Sequence, residues 1–280
     1  MIANKAGLLY VQAGPAGRFW LAGFILKSRF FMETSFMLRR AFQALLPATL
    51  LLTACSKDDV PAAPAPDQGR VLISHAAAAA NTQVTAFVND QQVGQLNYGQ
   101  TSSYLNVNAG TPTLRINNGA QQVATQPLTV AKDQNYSVFA FSPTATVGSV
   151  NLLTVIDDLT VPALGTAKVR LVHLGVSATS PVRLSIPPAT PTGAPNDLTT
   201  DVAFGAASPF VAVNAGPLNL AVYNTGAPRT QVVAVGEGTG SGTGTRNFEA
   251  GKIYTVVVRG IAGSGVPTAQ QIQAVIISNN

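Results

Sequence analysis

The feature that most constrains this chain is a pattern it carries twice. Arg70-Val71-Leu72-Ile73-Ser74-His75 returns as Lys168-Val169-Arg170-Leu171-Val172-His173. Further matches follow in the same order. Tyr98-Gly99 with Ser102 and Tyr104 answers to Phe204-Gly205 with Ser208 and Phe210, and Val107-Asn108-Ala109-Gly110 to Val213-Asn214-Ala215-Gly216. Leu114-Arg115-Ile116-Asn117 answers to Leu220-Ala221-Val222-Tyr223, and Asn135-Tyr136-Ser137-Val138 to Ile253-Tyr254-Thr255-Val256. Chance similarity does not preserve order, so the chain reads as two copies of one unit that meet near Val161-Pro162-Ala163-Leu164-Gly165. The second copy carries insertions at 187–197 and 236–245, the latter almost wholly Gly, Ser and Thr. Both fall between apolar runs, where extra chain is tolerated.

Within each copy the apolar period is two. Val71 and Ile73 alternate with Leu72 and Ser74, and Val84, Ala86 and Val88 with Thr85 and Phe87. Leu105 and Val107 flank Asn106, and Val256 and Val258 alternate with Val257 and Arg259. Turn signals such as Asn89-Asp90, Asn117-Asn118-Gly119 and Asn224-Thr225-Gly226 separate the runs. About seven runs per copy predict an all-β chain of two tandem immunoglobulin-like antiparallel β-sandwiches, after a signal peptide and a Pro/Ala linker. The expected limits are 70–160 for the first sandwich and 166–280 for the second. Gly110 and Gly216 are expected at positive φ in tight turns.

Ahead of the repeats lies a leader, 1–54. Arg39 and Arg40 precede a mostly apolar run from Ala44 to Ala54, which ends at Cys55, the single cysteine. About 11 residues suit a secretory signal and fall short of the ~20 that span a bilayer as a helix. Met37 would open a complete signal peptide of ordinary length, so the true start is expected there. Leu52-Thr53-Ala54-Cys55 resembles the lipobox of bacterial lipoproteins, which implies that the Cys55 thiol is acylated after cleavage. The alternatives are a soluble buried Cys55 and a plain cleavage site at Ala54. Ser56 at the next position argues against inner-membrane retention. Lys57-Asp58-Asp59 is similar to a surface-export signal of one group of Gram-negative bacteria, and is otherwise a solvated charge cluster. Residues 55–69 are read as the lipidated cysteine and a stiff tether, with Pro61, Pro64 and Pro66 between alanines.

Charge follows the same division. The net charge of +5 comes from 17 basic and 12 acidic residues, of which six basic residues and Glu33 precede Cys55. Eleven of each sign remain, so the part after Cys55 is formally neutral and gives no warrant for a nucleic-acid partner. With Cys55 spent on lipid, no intrachain disulfide is available, and the sandwiches must stand on core packing.

The order Val-x-x-x-His, Gly-x-x-Ser-x-Tyr/Phe, Ala-Gly, then Tyr-Ser/Thr-Val resembles the domain-of-unknown-function family numbered 4397, from about Arg70 to the C-terminus. The resemblance implies secreted or surface proteins with tandem domains, and it brings no catalytic residues. The second copy departs through its insertions, and the first lacks a proline that many members show near Ser103.

Candidate chemistry is thin. His75 and His173 close equivalent first strands without neighbouring ligands and are expected to make structural hydrogen bonds; one histidine per copy cannot build a zinc site. Asp157-Asp158 aligns with Ser278-Asn279 and reads as either a weak calcium site or, more simply, a solvated linker. The Gly-rich run from Gly236 lacks the residues of a phosphate cradle. Glu237 and Glu249, the glutamates after Cys55, form no recognisable acid–base pair. Tyr98, Tyr104, Tyr136, Phe139, Phe141, Phe204, Phe210, Tyr223 and Tyr254 could stack on sugar rings, but their repeated placement favours core packing. No catalytic residue, cofactor or metal is expected.

The expected function is that of a lipid-anchored cell-envelope or surface protein at the outer membrane. It would act as a non-catalytic binding or adhesion module with a glycan or protein partner. Alternatives are a spacer or accessory subunit without its own ligand and, furthest away, an envelope hydrolase.

Overall fold

The computed structural model describes residues 64–148, 150–190, 193–236 and 245–280. The leader, Cys55, Lys57, Asp58 and Asp59, and most of the Gly-rich insertion lie outside the described residues. The described chain is all β apart from two single-turn 3-10 helices, Ala78–Ala80 and Thr268–Gln270.

The first half contains β1 (Gln68–Ala76), β2 (Val84–Val88), β3 (Gln91–Leu96), β4 (Leu105–Asn108), β5 (Thr113–Asn118), β6 (Gln121–Pro127), β7 (Asn135–Phe141) and β8 (Asn151–Ile156). They form two four-stranded sheets, ordered β4-β1-β7-β8 and β3-β2-β5-β6. The second half contains β9 (Thr166–His173), β10 (Val182–Ile186), β11 (Asn196–Asp197), β12 (Ala206–Ala207), β13 (Val211–Asn214), β14 (Gly216–Leu218), β15 (Ala221–Asn224), β16 (Gln231–Gly236), β17 (Arg246–Phe248), β18 (Ile253–Arg259) and β19 (Gln273–Ser278). Here β11-β10-β15-β16-β19-β18-β9-β12 is one continuous sheet, because β16 runs parallel to β19 at Val235↔Ala274. β13 extends it beside β9, and β14 pairs with β17 apart from it.

The sheets are mixed rather than wholly antiparallel. β1 lies parallel to β7 and β9 parallel to β18, while β8 and β19 return antiparallel. The registers correspond: Arg70 faces Asn135 and Lys168 faces Ile253. Ser102 and Ser208 each accept a hydrogen bond through Oγ, from the N–H of Ile73 at 2.9 Å and of Leu171 at 3.0 Å. Gly110 and Gly216 both have positive φ, 126° and 122°, as their turns require.

Each half has its own core. Val71, Ile73, Val84, Ala86, Leu114, Ile116 and Val138 are buried together in the first. Val169, Leu171, Leu184, Val222, Val235, Val256 and Val258 do the same in the second. A third cluster joins the halves: Ala76, Phe139 and Phe141 are buried with Val172, Leu174, Val257 and Val275. Alternate side chains of a strand face opposite ways. Val138 therefore fills its own core while Phe139 reaches the other half, and Val256 and Val257 divide in the same manner. This explains why β7 and β18 are each apolar at five of seven positions. A strand covered on both faces loses the polar alternation of a half-exposed one.

Candidate functional site

The chemically richest place in the molecule lies between the halves, where the central strands meet back to back. Arg170 projects from β9 on the side away from its core and is almost wholly buried. Its guanidinium Nη2 stands 2.6 Å from Asp157 Oδ1, just past the end of β8. Its Nε donates to Thr255 Oγ1 at 2.9 Å, its Nη2 to Ser137 Oγ at 3.2 Å and its Nη1 to the Ile156 carbonyl at 3.3 Å. The Phe210 ring covers it, 4.4 Å from Cζ to centroid. The other carboxylate oxygen, Asp157 Oδ2, accepts from Ser137 Oγ at 2.7 Å and from the Tyr104 hydroxyl at 2.5 Å. Asn279 Nδ2 donates to the same hydroxyl at 3.1 Å.

Burial pulls the Arg170 pKa down from its ordinary value, and the adjacent Asp157 pulls it back up. Burial, then the charge of Asp157, raises the Tyr104 pKa well above its usual range, so the phenol stays protonated and donates. The network is a buried ion pair with its spare donors and acceptors engaged, which such a pair needs to be tolerated in an interior. The solvated-linker expectation for Asp157 is thus corrected: the residue is buried, and Arg170 holds the carboxylate that a calcium ion would require. Asp158 is exposed but also engaged, with Lys168 Nζ at 2.8 Å. Registry corrects the alignment too. Ile156 faces Tyr136 and Ser278 faces Tyr254, so Asp157 corresponds to Asn279.

The histidines lie at the other end of the same strands. Both are fully buried. His75 Nε2 lies 2.9 Å from the Thr82 carbonyl, and Ala77 N–H donates to Nδ1 at 3.3 Å. The ring is therefore neutral with its proton on Nε2. Burial lowers the His75 pKa, partly offset by the Thr82 carbonyl and reinforced by Arg259. Neither ring nitrogen of His173 has a partner at hydrogen-bonding geometry, so the expected structural bond is found at His75 and not at His173. Burial pushes the His173 pKa down to about 4, with the Thr179 backbone opposing. Each ring stacks edge to face, His75 on Tyr98 at 6.0 Å and His173 on Phe204 at 5.9 Å. These are packing roles: a base must reach the proton it abstracts, and neither ring is open to a substrate.

None of the nine aromatics offered as a sugar-stacking face is exposed. The Tyr136 hydroxyl accepts from Ala131 N–H and the Tyr254 hydroxyl from Glu249 N–H, each at 3.1 Å across five residues, which is corner packing. Two open grooves lie in the second half, of about 570 Å³ between Thr179, Gln231, Ile261 and Gln271 and of about 270 Å³ between Ile186, Leu198, Val213 and Leu218. Neither is lined by an aromatic or an ionisable side chain. Among the described residues no group of three or more His, Cys, Asp and Glu could hold a metal ion. No described helix is long and apolar enough to cross a membrane.

Sequence reasoning missed the Asp157–Arg170 site. Its signal was a charge inside an otherwise apolar run, Val169-Arg170-Leu171-Val172, at a place where the first copy has Leu72.

The model of the domain-of-unknown-function family DUF4397 matches residues 69–181. No curated protein matches the chain. Among solved structures, a leucine-rich repeat protein from Bacteroides thetaiotaomicron aligns at 15% identity and a TM-score of 0.17, over 75% of this chain and 27% of its own. A candidate cell adhesion protein from Bacteroides eggerthii aligns at 10% identity and a TM-score of 0.19, over 77% of this chain and 96% of its own.

Proposed function

With residues 69–181 matching the DUF4397 family as the premise, we propose that the protein is a non-catalytic module of the bacterial cell envelope. It is held at the outer membrane by lipid on Cys55 and faces outward. Its two repeats, 70–160 and 166–280, act as one rigid body that presents loops and sheet edges to a protein partner. One observation carries the non-catalytic part. The side chains with catalytic potential, His75, His173, Asp157 and Arg170, are consumed by packing and by one another. A protein partner is favoured over a glycan because none of the nine aromatic rings that would stack on sugars is exposed.

The accessory-subunit reading keeps one observation in its favour. The two open grooves of the second half lack charged or aromatic anchors, and such anchors dominate binding energy at interfaces. In that reading the rigid pair is a spacer.

The test is metabolic labelling with a palmitate analogue in a Gram-negative host, followed by membrane fractionation and protease treatment of intact cells. The full chain should take up label and be cut from outside. Cys55→Ala should lose the label and leave the membrane fraction. Replacing Lys57, Asp58 and Asp59 by Ala should keep the label and lose surface cleavage. An unlabelled, water-soluble wild-type chain would overturn the anchor.

A further inference from the structure

The segment from β8 to β9 carries an unusual surface. Four large apolar side chains are exposed among the described residues, and three sit within nine positions: Ile156 at 66%, Val161 at 82% and Leu164 at 104% of full exposure. The fourth, Val147 at 76%, lies in the loop before β8, at the opposite end of that strand. Buried aliphatic carbon is worth having in a chain without disulfides, so three aliphatics left in solvent on one connection call for a surface that covers them.

Topology says which end they occupy. Ile156 faces Tyr136 near the start of β7, and β7 begins beside the start of β1, where Arg70 faces Asn135. Asp157 N–H bonds to the Asn135 carbonyl at 2.8 Å. Thr166, at the start of β9, follows directly, with its N–H on the Ala163 carbonyl at 3.0 Å. The apolar segment therefore lies at the end where the chain enters the fold at Gln68. Twelve residues lie between Cys55 and Gln68, a span of at most about 45 Å when extended. An anchor on Cys55 would join the fold at this end and not at the Val147 end. Two lysines near it are paired with carboxylates, Lys132 with Asp67 at 2.8 Å and Lys168 with Asp158 at 2.8 Å, and a third, Lys252, donates to the Asn280 carbonyl at 3.3 Å. Such an end can approach lipid through carbon without calling for anionic headgroups.

We propose that Ile156, Val161 and Leu164 form a membrane-contact patch that seats the tethered protein on the lipid surface with the Val147 end outward. This rests on the lipid-anchor reading for its tether and adds to it an orientation. Tethering makes a weak patch sufficient, because the anchor supplies a high local concentration of bilayer.

The only tryptophan, Trp20, precedes Cys55, so the mature chain is free of tryptophan. The full chain is expressed with Leu164→Trp, Val161→Trp or Val147→Trp and purified from membranes. It is then placed in vesicles of zwitterionic phosphatidylcholine brominated along its acyl chains. Leu164→Trp and Val161→Trp should be quenched at least threefold more than Val147→Trp, with blue-shifted emission, and 0.5 M salt should leave this unchanged (roughly a 4 Å screening length). Ile156→Ser with Val161→Ser should cut the quenching of Leu164→Trp by half or more. Equal quenching at both ends overturns the patch. So does a Leu164→Trp emission already blue-shifted in detergent without lipid, which would mark a protein interface instead. The mass of the N-terminal peptide reads the anchor separately. If Cys55 is not acylated, coupling its thiol to a maleimide phospholipid in the same vesicles, on a Trp20→Phe background, still gives the quenching comparison.

Discussion

The two halves share a strand plan and differ where they touch. At one interface position the first half has Leu72 and the second Arg170; at another the first has Asp157 and the second Asn279. Tyr104 answers to Phe210, and Ser137 to Thr255. The second half supplies the cation and its aromatic cover; the first supplies the carboxylate and the phenol that donates to it. Two first halves placed face to face would oppose Asp157 to Leu72, and two second halves would oppose Arg170 to Asn279. Burying a charge without its counter-ion is far costlier than burying a satisfied pair. The difference teaches how a repeated unit can acquire an interface that fits its neighbour and not itself. A second contrast lies in the sheets. β16 joins β19 through the backbone, whereas β6 and β8 are linked by a side-chain bond, Gln126 Nε2 to Thr154 Oγ1 at 3.3 Å.

The sharpest way to break this comparison is to remove one charge. Asp157→Ala leaves Arg170 buried without its anion and should cost about 3–5 kcal/mol in denaturant unfolding. Giving each half the other's residue, Asp157→Asn with Arg170→Leu, should recover most of that loss, since a neutral buried pair needs no compensation. If the double variant is no better than the single one, the charges do more than specify the pairing.

Acid probes the histidines next. The unfolded chain takes up a proton at His173 near pH 6.5, while the folded chain resists until about 4. The unfolded state therefore binds more protons between those values, and stability is full above 6.5 and falls as pH drops toward 4. The whole difference is on the order of 3 kcal/mol. His75 acts in the same direction. Lys168, by hydrogen bonding, draws Asp158 down to about 2, so its loss falls below the window of the histidines. Urea midpoints measured from pH 7.5 to 4 should flatten in His173→Gln, and a wild-type midpoint that does not move would remove the case for a neutral buried ring.

A smaller effect tests equivalence itself. Ser102→Ala and Ser208→Ala each remove one acceptor from a buried first-strand N–H, and each should cost about 1 kcal/mol. A difference above about 0.5 kcal/mol between them would show that the shared geometry hides unequal packing. Smallest of all is Asp197→Ala in the proline-rich insertion, which the first half lacks. The carboxylate bridges Arg183 and Arg229, at 2.7 and 2.8 Å, at the surface. The expected loss in thermal unfolding is about 0.5–1 kcal/mol.

Much of this fold was legible in the order of residues. Period-two runs, Asn-Gly turns and the repeat itself announced an all-β chain, and the positive φ of Gly110 and Gly216 followed from their turns. The aromatics were readable as packing because they recurred at matched places. What hid was the second buried face of β1, β7, β9 and β18. Leu72 and Val257 read as the outward half of an alternation, although their apolar company already departs from the polar-out rule. Asp157 hid for a related reason: a carboxylate in a connection reads as solvated unless its partner, 13 residues on, is known to lie beside it.

From sequence alone came the kind of structure, because alternation and turn chemistry act over a few residues and need no distant partner. From it also came the expectation of a lipid anchor, since the Cys55 motif is a linear signal. The tertiary structure decided that two similar units bury a shared face, that Arg170 and Asp157 neutralise each other within it, and that the exposed aliphatics gather where the chain enters the fold. Those are facts of proximity. They depend on which faces meet after the strands have formed, and local preference carries no record of that.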